Sequence, residues 1–159
     1  MIEEALNQLG VKCTSTDGNL PLTLQGPLVG GKIEIDGSIS SQLLTGLLMA
    51  LPLATKDSEI KVNNLKSKPY IDMTVQILKS FGITILNSGY DLFKIPGNQK
   101  YTPQNYTVEG DWSGGAFQLV AGAINGELTV EGLCMDSMQS DMAIIKAMQK
   151  AGAEIKIHD

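Results

Sequence analysis

Leucines set the first pattern. Leu43, Leu44, Leu47, Leu48 and Leu51 recur at three- and four-residue steps and form one stripe, which predicts a helix over 41–51. Ile71, Val75, Ile77 and Leu78 predict a second helix over 70–80, with Pro69 well placed at its start. Residues 3–9 read as the end of a third helix. Between these, 22–26 and 32–36 alternate polar and apolar positions as half-buried strands do, and 59–63 reads as another strand. Residues 83–87 and 92–95 predict a hairpin through "NSGYD". Further along, strand patterns at 106–109, 127–131 and 153–157 alternate with helix patterns at 113–124 and 138–150. "PGNQKYTPQN", residues 96–105, carries two prolines, a glycine and two asparagines, and is the best linker candidate.

The pattern repeats. "ALNQLGVKC", "ILKSFGITI" and "AMQKAGAEI" each end an amphipathic helix, place a glycine, and enter a β-rich run. Their glycines, Gly10, Gly82 and Gly152, recur at a period of about 70 residues, each where a helix C-terminus favours a left-handed residue. "IEIDG" at 33–37 answers "YTVEG" at 106–110, and "IKVNN" at 60–64 answers "LTVEG" at 128–132. Ser67 with Asp72 answers Ser137 with Asp141. The implied unit is strand, helix, strand, helix, strand, strand: an α/β (α+β) fold built by duplication.

Composition narrows the function. At 159 residues and 43% apolar, the chain can build a core as one ordinary domain or two small ones. A net charge of −5 argues against a nucleic-acid partner. All twelve basic residues are lysines, so a bidentate guanidinium grip on a carboxylate or phosphate must come from outside this chain. Cys13 and Cys134 have no metal spacing, and the single histidine is His158, so a zinc site is not expected. Two reduced thiols are the plainer reading of that pair. No signal peptide opens the chain and no apolar run reaches the roughly 18 residues of a membrane span. The expectation is a cytoplasmic protein with no membrane partner.

Candidate chemistry concentrates in "DGSISSQ", 36–42. A helix start presents unpaired N–H groups and the positive end of the helix dipole, a ready anion site. Ser38, Ser40 and Ser41 add hydroxyls there, and Gly37 permits a tight turn and close approach of a ligand. Serine is equally a favoured N-cap, so the spacing leaves a phosphate cradle and a capped turn both open. The equivalent turn "GDWSGGA", 110–116, also opens a helix. In "SKPYIDMT", 67–74, Ser67 caps a helix or binds a ligand, Tyr70 reads as interfacial core, and Lys68 as solvated surface. "DSMQSDMA", 136–143, reads as a structural helix start, with Ser137 or Ser140 facing Asp141. The seven methionines read as core filler, and Trp112 as packing over the domain junction.

"GSISSQLLTGLLMALPLA", then "SKPYIDMT", then "VEGDWSGGAF", in combination, resemble the EPSP synthase family of enolpyruvyl transferases along essentially the whole chain. The resemblance implies an inside-out α/β barrel of six βαβαββ units, three in each of two domains, here incomplete. Residues 1–103 would be part of the first domain and 104–159 the start of the second, with the 96–105 linker where the domains join and close on substrate. By position, Ser40, Ser41 and Ser67 match serines that bind the phosphate of shikimate 3-phosphate. Gln42 matches a glutamine touching both shikimate 3-phosphate and phosphoenolpyruvate, and Tyr70 a tyrosine lining the same pocket. In such enzymes the 5-hydroxyl attacks C2 of phosphoenolpyruvate through a tetrahedral intermediate, and phosphate leaves. No metal or organic cofactor is implied.

The resemblance covers roughly the family's middle third. The lysine, the arginines and the proton-transferring acids expected before and after it have no counterpart here. The expectation is therefore a fragment that holds one wall of the shikimate 3-phosphate pocket, contains no catalytic residue, and is inactive without the rest of the full-length chain. Two alternatives stand beside it. One is a fragment of an enolpyruvyl transferase acting on UDP-N-acetylglucosamine, against which the "SSQ" turn and "SKPYID" count. The other is a complete, non-catalytic anion-binding module, against which the mid-repeat start and stop count.

Overall fold

Alternate residues of three strands disappear into one core. In a computed structural model describing residues 2–38 and 41–158, Ile33 and Ile35 of β3 (Lys32–Asp36) are buried, as are Ile60 and Val62 of β4 (Ser58–Asn63) and Phe93 and Ile95 of β6 (Leu92–Ile95). The opposite face carries the charged alternates, including the cross-strand pairs Lys61–Glu34 at 3.2 Å and Lys32–Glu59 at 3.1 Å. These pairs are exposed and contribute little. With β5 (Leu86–Ser88) the sheet order is β3-β4-β6-β5. The β3–β4 pair is parallel, with Ile33 opposite Ile60 and Asp36 opposite Asn63, whereas β4–β6 and β5–β6 are antiparallel.

Helices cover the apolar face. The leucine stripe forms α2 (Gln42–Ala50), where Leu44, Leu47 and Leu48 are buried. It tightens into a 3-10 turn over Leu51–Leu53, since Pro52 has no N–H with which to continue the helix. The second periodic run is α3 (Lys68–Ser80), burying Ile71, Thr74 and Leu78. Threonine hydroxyls mark where α2 meets α3, Thr45 Oγ1 lying 3.4 Å from Thr74 Oγ1. A short α1 (Ile2–Gln8) adds Ala5, with Leu9 just beyond it, to the same core. A separate antiparallel ribbon, β1 (Lys12–Thr16) and β2 (Asn19–Gln25), buries Cys13. From β3 to β6 the order is strand, helix, strand, helix, strand, strand, the unit the repeat implies.

The hairpin is shorter than the alternation suggests. Residues 83–85 are not strand, because the Gln99 side chain occupies their backbone: it accepts from Thr84 N (2.8 Å) and donates to Thr84 O (3.0 Å).

The chain divides into two units, Met1–Gln104 and Asn105–Asp159. The second contains α4 (Trp112–Asn125) and α5 (Ile144–Lys150), the latter preceded by a 3-10 turn over Ser140–Ala143. Among the described residues, 106–109, 127–131 and 153–157 are not strands, contrary to their pattern. A strand exists only through a ladder partner, and here one bond, Gly110 N to Gly132 O (2.8 Å), joins the first two segments at their ends. Val108, Leu128 and Ile157 stay exposed.

The duplication still shows in atomic detail. A Cβ on Gly37 would lie 2.9 Å from Leu65 Cδ1, and one on Gly110 would lie 3.2 Å from Leu133 Cδ2. Leu65 and Leu133 follow the equivalent left-handed residues Asn64 (φ 55°) and Gly132 (φ 82°). Trp112, expected at a domain junction, is buried in the second unit with its indole N–H on Cys134 O (2.9 Å). Ser137 is held by Glu109 (2.9 Å).

Replacing Leu48, wholly buried in α2, with alanine should cost about 2–5 kcal/mol, read as a lower denaturant midpoint for the first unit. The α4 start rests on Asp111, whose carboxylate accepts from Ser113 N and Gly114 N at 3.0 Å each. Asp111→Ala should cost about 1 kcal/mol and should speed hydrogen exchange at the α4 amides selectively.

Candidate functional site

Parallel pairing of β3 with β4 sends both strands out of the same edge of the sheet, so the loops into α2 and α3 emerge side by side. In open α/β sheets, ligands bind in the crevice beyond the carboxyl ends of strands. Backbone bonds lock the two loops together: Gly37 N donates to Asn63 O (2.8 Å), and Lys66 N to Gly37 O (3.3 Å). Gly37 was expected to make room for a ligand. Its missing side chain instead makes room for Leu65, whose Cα would be 3.0 Å from a Cβ there. The glycine sets the distance between the loops.

The helix starts at this edge carry the predicted residues. Ser41 is half-buried at the N-cap of α2 and makes no side-chain capping bond to it. Gln42, the first helical residue, is exposed. Ser67, exposed at the N-cap of α3, does not cap its helix either. It has φ 55° and ψ 39°, a left-handed conformation that costs a β-carbon residue roughly 1–2 kcal/mol. Tyr70 is half-buried, its carbonyl accepting from Thr74 Oγ1 (2.8 Å). Ser41, Gln42, Ser67 and Tyr70 are thus gathered at one edge by two adjacent helix starts. Ser40 lies outside the described residues.

The equivalent turn in the second unit is different. There Asp111 places its own carboxylate on the α4 amides, so that helix end is filled by the chain. Of the two duplicated turns, the second is a capped structural turn and the first is not capped by its serine.

Sequence reasoning named Asp36, Lys68 and Asp72 near this edge but missed Tyr90 and the contacts that join them. Asp36 accepts from Ser38 N (2.9 Å). That backbone bond first, then the Ser38 hydroxyl, hold its carboxyl below the usual aspartate value; burial opposes them, and Asn64 and the Lys66 charge add lesser lowering effects. Lys68, read as solvated, has Nζ 4.8 Å from the centroid of the Tyr90 ring. The Tyr90 hydroxyl donates to Asp72, 2.9 and 2.8 Å from its two oxygens. This bond first, then burial and the carboxylate charge, push the phenol above its usual value. The available signals were an aromatic residue inside a turn, and Lys68 and Asp72 one helical turn apart.

The lowered Asp36 value has a definite sign. Stability from a depressed carboxyl is full above the unfolded value and is lost as pH falls through the folded one. Asp36→Asn should therefore flatten the acid limb of the stability profile below the ordinary aspartate range. An unchanged limb in a pH series of urea melts would show that the turn does not hold the charge.

The family profile described as EPSP synthase (3-phosphoshikimate 1-carboxyvinyltransferase) matches residues 1–159. The 3-phosphoshikimate 1-carboxyvinyltransferase of Tolumonas auensis is 45% identical over 157 residues, 96% of this chain and 37% of that protein. The one from Clostridium novyi is 43% identical over 149 residues, 93% and 34% of the two chains. The solved EPSP synthase of Acinetobacter baumannii superposes with a TM-score of 0.74 at 22% identity, covering 99% of this chain and 35% of that one, a likeness of fold. This chain spans about a third of the length of the curated relatives it matches. Its α+β architecture is an incomplete enolpyruvyl transferase fold. The chain belongs to the EPSP synthase family.

Proposed function

We propose that this chain supplies one wall of a shikimate 3-phosphate site in an enolpyruvyl transferase. In that reaction the substrate's 5-hydroxyl adds to C2 of phosphoenolpyruvate, and the tetrahedral adduct then expels phosphate. The observation that carries the reading is the pair of adjacent helix starts whose N-cap serines, Ser41 and Ser67, leave their own helices uncapped. Backbone N–H groups and two helix dipoles face the same edge, where an anion is stabilised. Ser40, Ser41 and Ser67 bind the phosphoryl oxygens, Gln42 reaches toward both substrates, and Tyr70 lines the pocket. The first unit belongs to the first domain of such an enzyme, and the second unit opens its second domain.

Condensing two anions needs cationic groups to carry charge in the transition state. With lysine as its sole basic residue type, the chain has no guanidinium clamp. It binds, and turnover requires further residues. No helix among the described residues is long and apolar enough to cross a membrane, and the free thiols Cys13 and Cys134 fit a reducing cytoplasm. An acidic chain with no arginine fits small anionic metabolites at a local site better than nucleic acid.

Titrating the labelled chain with shikimate 3-phosphate should move the amides of Ser40, Ser41, Gln42 and Ser67, with weak saturation. Inorganic phosphate should reproduce part of the effect, and Ser41→Ala and Ser67→Ala should each weaken it. Silence at those amides up to millimolar ligand overturns the site. Phosphate release from both substrates should be nil, and measurable turnover would refute the view that the clamp lies elsewhere.

A further inference from the structure

Ser67 is held in a left-handed conformation without being a glycine, and something must hold it there. The next residue, Lys68, is the first of α3, and its ammonium lies over the ring of Tyr90. One helical turn on, Asp72 accepts the hydroxyl of the same tyrosine on both carboxylate oxygens. A single side chain therefore spans the first turn of α3, touching a cation with its face and an anion with its tip. Cations within about 6 Å of an aromatic centroid are attracted to its π-face.

Tyr90 is itself anchored. It too is left-handed, with φ 67°, in the turn joining β5 to β6. Its N–H donates to Asn87 Oδ1 (2.9 Å), closing the turn on itself. The following residue, Asp91, accepts from Val62 N in β4 (2.8 Å). The hairpin tip is thus bonded to the strand that leads into Ser67. Three non-glycine residues of positive φ, Asn64, Ser67 and Tyr90, lie on one closed circuit: β4, the 64–67 loop, the α3 start, Tyr90, and back to β4.

We infer that Tyr90 is a positioning residue: its hydroxyl rests on Asp72, its ring pins Lys68, and the ring's hold on Lys68 keeps Ser67 left-handed with its hydroxyl at the anion edge. The proposal deepens the reading of Ser67 as a phosphate ligand and rests on it for its function. Tyr90 does not touch the substrate; it acts through Ser67.

Two readouts test this. The first needs no ligand: a left-handed residue shows a strong intraresidue amide–Hα NOE. Ser67 should show it in the unaltered chain, keep it in Tyr90→Phe, which retains the ring over Lys68, and lose it in Tyr90→Leu. Persistence in Tyr90→Leu, or an equal loss in Tyr90→Phe, overturns the proposal. The second is a double-mutant cycle on shikimate 3-phosphate affinity. Tyr90→Leu should weaken binding by about threefold or more in the unaltered chain, and not at all on a Ser67→Ala background. Equal losses on both backgrounds would mean that Tyr90 acts independently of Ser67, and would overturn the proposal. If the unaltered chain binds no ligand, the phosphate reading falls, and the NOE alone decides whether Tyr90 holds Ser67.

Discussion

The in-register parallel pairing of β3 with β4 is the constraint from which the candidate site follows. Two parallel neighbours must leave the sheet at the same edge, so two helices must begin there. Antiparallel pairing would send one helix start to the far side, and the two serine turns would never meet. The spacing of the meeting is then set by contact. Leu65 fills the space over Gly37, and Gly37 is bonded to Asn63 and Lys66 beside that contact. The proposed ligand chemistry is a second layer on this packing. The strands and a leucine fix where the hydroxyls and amides of the candidate site stand.

The contrast between the two duplicated turns shows how one fold element takes two roles. Both turns end in a helix start near a glycine packed on a leucine. In the second unit an aspartate immediately after that glycine bonds the helix amides. Both units have an acid before the glycine, Asp36 and Glu109, but the first has Ser38 where the second has Asp111, and its Asp36 accepts from Ser38 N. An added carboxylate after the glycine, Asp111, is what separates a helix end that satisfies itself from one that does not draw on its own N-cap side chain.

Most of the first unit was legible from periodicity, because its core residues do one job each. The α2 leucines, the β3 isoleucines and Pro69 all point the same way. Failures came where a side chain replaces a backbone partner or where a partner is missing. Gln99 stands in for a strand beside Thr84, and no alternation of residues 83–87 announces that. The runs at 106–109, 127–131 and 153–157 have strand composition, yet a ladder is a property of two segments, and composition describes one. At the site, the serines were legible as helix starts, but whether a serine caps its helix is a matter of torsion angles. Tyr90 carried a signal as an aromatic residue inside a turn, but its pairing with Lys68 was not legible, because residues 68 and 90 are joined by the fold alone.

The two thiols occupy opposite situations. Cys13 is sealed in the β1–β2 ribbon of the first unit, its N–H and carbonyl tied to the side chain of Asn7, and Cys134 lies open on the second. A sulfhydryl reagent added to the native chain would modify Cys134 at once and reach Cys13 only when the first unit opens. The molecule carries its own clock: with Cys134 masked, the labelling rate of Cys13 times the breathing of the unit that bears the candidate site, with no engineered residue.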